Sequence, residues 1–229
     1  MNRYADTDRV SADWGAHLER ERRRYRDGEA RLDNASDAGA RERRLTRLGN
    51  AASGAGLALL MQGRRDEAAS WFARAAERYR ESFADAPPDS WGRPIGALKA
   101  LVLAGDSPAA ESAARWALQS GASEARSPVG RYAAALALLV LGRDAEARQH
   151  ADAIRIRGDF PADVGDALAF ISAGDLVGYT EAVEAVLESF ESRDEYLEGI
   201  PVADTVLVLQ ALAEPRGLAV ELSSPLLPR

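Results

Sequence analysis

Histidine occurs at two positions only, His17 and His150, and cysteine at none. Without thiols, disulfides, thiolate zinc sites and cysteine nucleophiles are excluded. Two histidines far apart in sequence do not make a metal centre. Each stands on a charged helix face, beside LER and ARQ, so a solvated imidazole is expected rather than a ligand or a general base. Glu181, Glu184 and Glu188 fall on one face of a helix, which places carboxylates together, but ordinary helix surfaces carry the same spacing and no partner for acid–base work accompanies them. No nucleophile elbow, HExxH or Walker loop is present. The one Gly-x-Gly, Gly54 and Gly56, lies inside a helical run with no strand before it, which makes it a close-packing site rather than a phosphate loop. No catalytic residue, metal or cofactor is expected.

The basic run ERERRRYR, residues 19–26, is the candidate for nucleic-acid binding. On a helix its arginines spread around most of the circumference with Glu19, Glu21, Asp27 and Glu29 among them, and Glu19 with Arg23 and Arg23 with Asp27 have ion-pair spacing. A salt-bridged solvent face is the expectation. Residues 1–50 hold 12 arginines against 10 acids, while the whole chain carries −7. That balance disfavours phosphate backbones and anionic lipid, so neither nucleic acid nor membrane is an expected partner. The opening MNRYADTDRV has no signal-like apolar run and no stretch approaches ~18 uninterrupted apolar residues, so a soluble, cytoplasmic chain is expected. A single lysine, Lys99, among many arginines and alanines suggests a prokaryotic genome rich in GC.

The elements that would position any site are helices. Alanine, leucine, arginine and glutamate recur at spacings of three and four, and APPDS, SGASEARSP, RGDFP and EGIP punctuate them. Asp89 or Ser90, Ser107 and Ser127 are the expected helix caps, with Pro108 and Pro128 behind the last two. Gly63, Gly105, Gly142 and Gly174 follow apolar runs and fit the left-handed residue that closes a helix.

Aligned on those glycines, four segments repeat. Ala58, Ala100, Ala137 and Ala169 stand five residues before them, and Ala68, Ala110, Ala147 and Ala182 follow. The second-helix alanines are 42, 37 and 35 residues apart, a period of stacked helical hairpins. Small residues recur because two antiparallel helices approach closely only where facing positions carry little volume.

On these residues the chain resembles the tetratricopeptide repeat. Residues 49–82 carry Gly56, Ala58, Gly63, Asp66, Glu67, Ala68, Phe72 and Ala75 at matching places. The second unit keeps Ala100, Gly105, Ala110 and Ala117, the third Ala137, Gly142, Glu146 and Ala147, and the fourth Ala169, Gly174, Glu181 and Ala182. The resemblance spans about 49–190 and thins along the chain. It implies an all-α, right-handed solenoid: an N-terminal extension over 1–48, repeats at 49–86, 89–121, 127–157 and 161–190, and a capping helix with tail over 201–229. In the extension, Ser11 is the expected cap of a helix over 11–33 whose stripe of Trp14, Leu18, Tyr25 and Leu32 docks on the first hairpin, and a second helix runs from about Asp37 into repeat one. At the other end a helix is expected over 202–213, stopped by Pro215 and Gly217. The ending RGLAVELSSPLLP also looks faintly like some bacterial immunity proteins.

In such arrays first helices line a concave groove, which here implies Ser53, Leu57, Leu60 and Met61, then Ile95, Lys99, Val102 and Leu103, then Tyr132, Leu136, Leu139 and Val140. With Lys99 alone for charge, a clamp for acidic peptide termini is not expected. An apolar groove does not stay open to water without cause: the protein's own termini fill it, a second copy dimerises through it, or a partner helix lies in it. The expected function is non-enzymatic binding of a peptide or partner helix, with Lys99 and Tyr132 as polar fixation. The alternatives are an enzyme or small-molecule sensor with a pocket between helices, and an immunity protein that neutralises a toxin.

Overall fold

The computed structural model describes residues 13–229. Among them lie ten α-helices and no strand: α1 (Trp14–Glu29), α2 (Ala38–Met61), α3 (Arg65–Phe83), α4 (Gly92–Ala104), α5 (Ser107–Gln119), α6 (Pro128–Val140), α7 (Asp144–Arg155), α8 (Ala162–Ala173), α9 (Leu176–Glu191) and α10 (Asp204–Ala213). No helix among the described residues is long and apolar enough to cross a membrane.

Local chemistry sets the boundaries. Gly63, Gly105, Gly142 and Gly174 all have φ between 67° and 73°, so the chain turns where a side chain would be strained. Ser127 accepts the Gly130 N–H at 3.2 Å, as expected of a cap. At α5 the cap is Asp106, one residue before the expected Ser107, with its carboxylate on the Ala109 N–H at 3.0 Å. Neither Asp89 nor Ser90 caps α4. Asp89 instead takes a left-handed conformation (φ 61°), its carbonyl accepts the Trp91 N–H and its carboxylate accepts the Trp91 indole N–H at 3.1 Å. The indole of Trp91 thus engages the side chain that would otherwise have capped. The expected cap Ser11 lies outside the described residues; Asp13 fills that role, accepting the Ala16 N–H at 2.9 Å. The second helix begins behind Asp37, which accepts from Ala40 at 2.7 Å.

Each helix packs on its neighbours in sequence, and α2 touches α4, α4 touches α6, and α6 touches α8. The contacts that bring helices close pair a glycine with an aromatic ring. Gly56 of α2 lies under the Phe72 ring of α3, and Gly178 of α9 under the Phe170 ring of α8. The Tyr79 ring is held between Gly49 of α2 and Gly96 of α4, with its hydroxyl donating to Asn50 Oδ1 at 2.8 Å. A Cβ at any of these glycines would come within 3 Å of ring carbons. The core is therefore flat rings slotted into helix backbones, surrounded by buried alanines such as Ala58, Ala75, Ala137 and Ala169.

Half of the expected stripe is buried: Leu18 and Tyr25 of α1, the Tyr25 ring meeting Trp71 of α3 edge-on at 5.4 Å, whereas Trp14 is half-buried and the helix ends at Glu29, which leaves Leu32 half-buried in the turn beyond it. The C-terminal helix does more than cover the last hairpin. A pure cap would touch α8 and α9 alone, whereas α10 also packs against α4. The tail behind it is not loose either: Leu218, Leu226 and Leu227 are buried, and the Ala203 N–H donates to the Leu226 carbonyl at 3.0 Å.

Candidate functional site

Helices α2, α3, α4, α6, α8 and α9 and the segment 193–205 line a half-open cavity of about 290 Å3. Leu57, Phe160, Val164 and Phe190 give it apolar walls, and Asn50, Lys99, Tyr132, Arg193, Asp204 and Thr205 supply polar groups. Mixed lining of this kind, apolar with a few convergent polar atoms, is what small ligands and side chains of partners use.

Lys99 is its centre. α4 places the ammonium where Asp204 Oδ2 accepts at 2.5 Å and Thr205 Oγ accepts at 3.1 Å, both from the first turn of α10. Burial pushes this lysine down, but Asp204 and Tyr132 together outweigh it and hold the ammonium above the ordinary lysine range. Burial raises the Tyr132 phenol, opposed by the Lys99 charge, so both groups stay protonated at neutral pH. An amine in that state is a cation for binding and no nucleophile.

The rim is a strap, residues 193–203, running from α9 into α10. Glu198 and Gly199 both have left-handed φ, 56° and 63°. Glu198 is fastened from three sides: Arg24 pairs with its carboxylate, Asn50 Nδ2 donates to Oε1 at 2.8 Å, and Arg20 donates to its carbonyl at 2.9 Å. The same two arginines hold Glu21, which is fully buried, at 2.8 Å each. Gly54 makes room for it, since a Cβ there would stand 3.0 Å from Glu21 Cγ. A carboxylate excluded from water is tolerable only with such charged partners. At the far end of α10, Arg216 pairs with Asp144 at 2.5 Å and donates to the Leu139 carbonyl at 2.8 Å.

Of the residues expected to line a groove, Ser53, Leu57, Lys99 and Tyr132 meet around this cavity. Val102, Leu139 and Val140 border a second cleft with Leu212 and Arg216. Leu60 and Leu136 are buried, the latter with Leu139 at 1% and 2% exposure, while Met61, Ile95, Leu103 and Val140 are half-buried against the core. Asn50, Arg193, Glu198, Asp204 and Thr205 were not legible as site residues. The one available signal was an acidic residue in the first turn of the last helix, a partner for the only lysine.

The other candidates resolve differently. Glu181, Glu184 and Glu188 are exposed. Within ERERRRYR, the expected Glu19–Arg23 and Arg23–Asp27 pairs do not form; Arg22 reaches Glu19 at 3.3 Å and Glu67 at 3.8 Å, and Arg20 and Arg24 turn to Glu21. His17 and His150 are half-buried rather than solvated, each with Nδ1 buried and without a partner. Burial lowers both, aided by Arg20 at His17 and Arg131 at His150. Among the described residues no group of three or more acids and histidines is placed to hold a metal. Comparison of the chain with family models, curated proteins and solved structures finds no match.

Proposed function

We propose that the chain is a non-enzymatic interaction module of TPR-like hairpins in a right-handed array, whose first-helix face takes a peptide or partner helix. The observation that carries this reading is α10 itself, a helix seated by apolar contacts against α4, α8 and α9 and fixed through Lys99. The face thus accommodates a helix with one acidic residue near its start, and a partner segment of that chemistry competes with residues 193–229 for the seat. The row of contacts α2–α4–α6–α8 supports the array. The test is capture of host-cell proteins by the full chain and by Leu57→Asp, with synthetic peptide 193–229 as competitor. A partner held by the native chain, lost in the variant and displaced by the peptide supports the proposal. Capture indifferent to both overturns it.

The cavity favours a second reading, a small-molecule sensor. Its volume and its cationic groups Lys99 and Arg193 beside Phe160 and Phe190 suit a small aromatic or carboxylate ligand. Thermal stabilisation by such compounds that disappears in Tyr132→Phe would separate it from the first.

A further inference from the structure

About half of the arginines among the described residues pair with an acid, and three of those that do not come together in one place. Arg24, Arg31, Arg44 and Arg47 line an open cleft of about 410 Å3 between α1 and α2, floored by Gly28 and Leu48, with Asp27 its only acidic residue. Arg24 is engaged by Glu21 and Glu198. Arg31, Arg44 and Arg47 have no carboxylate within 4 Å among the described residues. Arg44 and Arg47 sit three apart on α2 and so share a face, while Arg31 comes from the turn opposite.

Capping of α1 does not account for all three. The Arg26 and Gly28 carbonyls already accept the Ala30 and Arg31 N–H groups at 3.1 and 3.2 Å, and Arg44 donates to the Arg31 carbonyl. That leaves Arg31 and Arg47, both exposed, with no protein acceptor for their charge. Three guanidiniums around one concavity repel each other, and a compact oxyanion between them removes the repulsion. Guanidinium forks match phosphate oxygens in pairs. The chain's net charge of −7 opposes a long polyanion but hardly affects a small one seated in the cleft.

We propose that this cleft is a binding site for a phosphate-bearing small molecule, with Arg31, Arg44 and Arg47 as its ligands. The probe is inorganic pyrophosphate, titrated calorimetrically into the full chain at low salt. Arg44→Gln with Arg47→Gln should weaken binding by about tenfold or more. Arg65→Gln with Arg126→Gln removes the same charge at exposed sites elsewhere and should change it by less than about twofold. Arg24 is left intact because it also holds Glu198, and Arg31→Gln, on an exposed turn, serves if the α2 pair fails to fold. Absence of pyrophosphate binding, or equal loss in both double variants, overturns the site. Vesicles of phosphatidylcholine with phosphatidic acid distinguish the source of the phosphate: capture by vesicles without binding of soluble pyrophosphate also overturns it.

Discussion

Gly56→Ala probes the contact on which the packing depends. Taken alone, the change should help, because alanine in a helix interior is favoured over glycine by about 0.8–1.0 kcal/mol. The surroundings reverse the sign. The new methyl would stand 2.6, 2.7 and 2.9 Å from three carbons of the Phe72 ring, where unstrained carbon contacts lie at about 3.5–4.0 Å. The ring must retreat by roughly 1 Å to restore that spacing. Phe72 is fully buried and has no solvent to retreat into. Overpacking of this kind costs about 1–3 kcal/mol, and overlap with three atoms argues for the upper end. The net expectation is a loss of about 1–2 kcal/mol, or roughly 2–8 °C in melting temperature for a chain of this size.

Urea denaturation followed by circular dichroism measures this, and a double-mutant cycle isolates its cause. Phe72→Ala removes the obstructing ring at a cost of about 3–5 kcal/mol, offset where necessary with sucrose. In that background Gly56→Ala should become stabilising by about 1 kcal/mol, since only the helix preference remains. The sign reversal is the signature. A Gly56→Ala protein at least as stable as the native one, or an equal loss in both backgrounds, would show that the glycine is not there to admit the ring.

Three further outcomes follow from the polar contacts. Glu198→Ala should release the strap from Arg24 and Asn50, leaving the Arg20 bond to the backbone carbonyl; hydrogen exchange at residues 193–200 should accelerate while α2 and α6 stay protected, and unchanged exchange would refute the fastening. Arg216→Ala strips three acceptors, Asp144 and the Leu139 and Leu212 carbonyls, and should cost about 1.5–3 kcal/mol in urea denaturation; a loss below a few tenths would mean α10 is held elsewhere. For the histidines the folded state binds protons less readily than the unfolded chain. Their contribution is therefore fully present above the ordinary pKa of about 6.5 and is lost as pH falls through the lower folded value. The urea midpoint should drop between about pH 7.5 and 5.5, and His17→Asn with His150→Asn should flatten that slope.

What the sequence made legible is what local rules decide. The four left-handed glycines were readable because their φ requirement is a property of the turn itself. The stripe of Leu18 and Tyr25 was readable because a helix must bury one face. Glu21 was not. A glutamate inside ERERRRYR looks solvated until Gly54, on another helix, is known to stand under it with Arg20 and Arg24 on either side. The histidines failed for the same reason, since their burial is set by neighbouring helices and their sequence neighbours are charged.

The site shows how the two kinds of information combine. Lys99 and Tyr132 were found through the register of the first helices, a periodic signal that extends along the chain. Asp204 opens α10, while Glu198 and Arg193 come from a segment with no periodicity at all, SRDEYLEGI, whose position is fixed only when Glu198 finds arginines more than 170 residues earlier. Such a pairing leaves no trace in local pattern, yet it closes the cavity and decides what can enter. The last lysine–aspartate contact then has a double consequence: it seats α10 against α4, and it neutralises Lys99, one of the two cations that line the cavity. On the proposed function, a partner must therefore offer an acid at least as well placed as Asp204, which makes the chain's own segment the standard against which such a ligand competes.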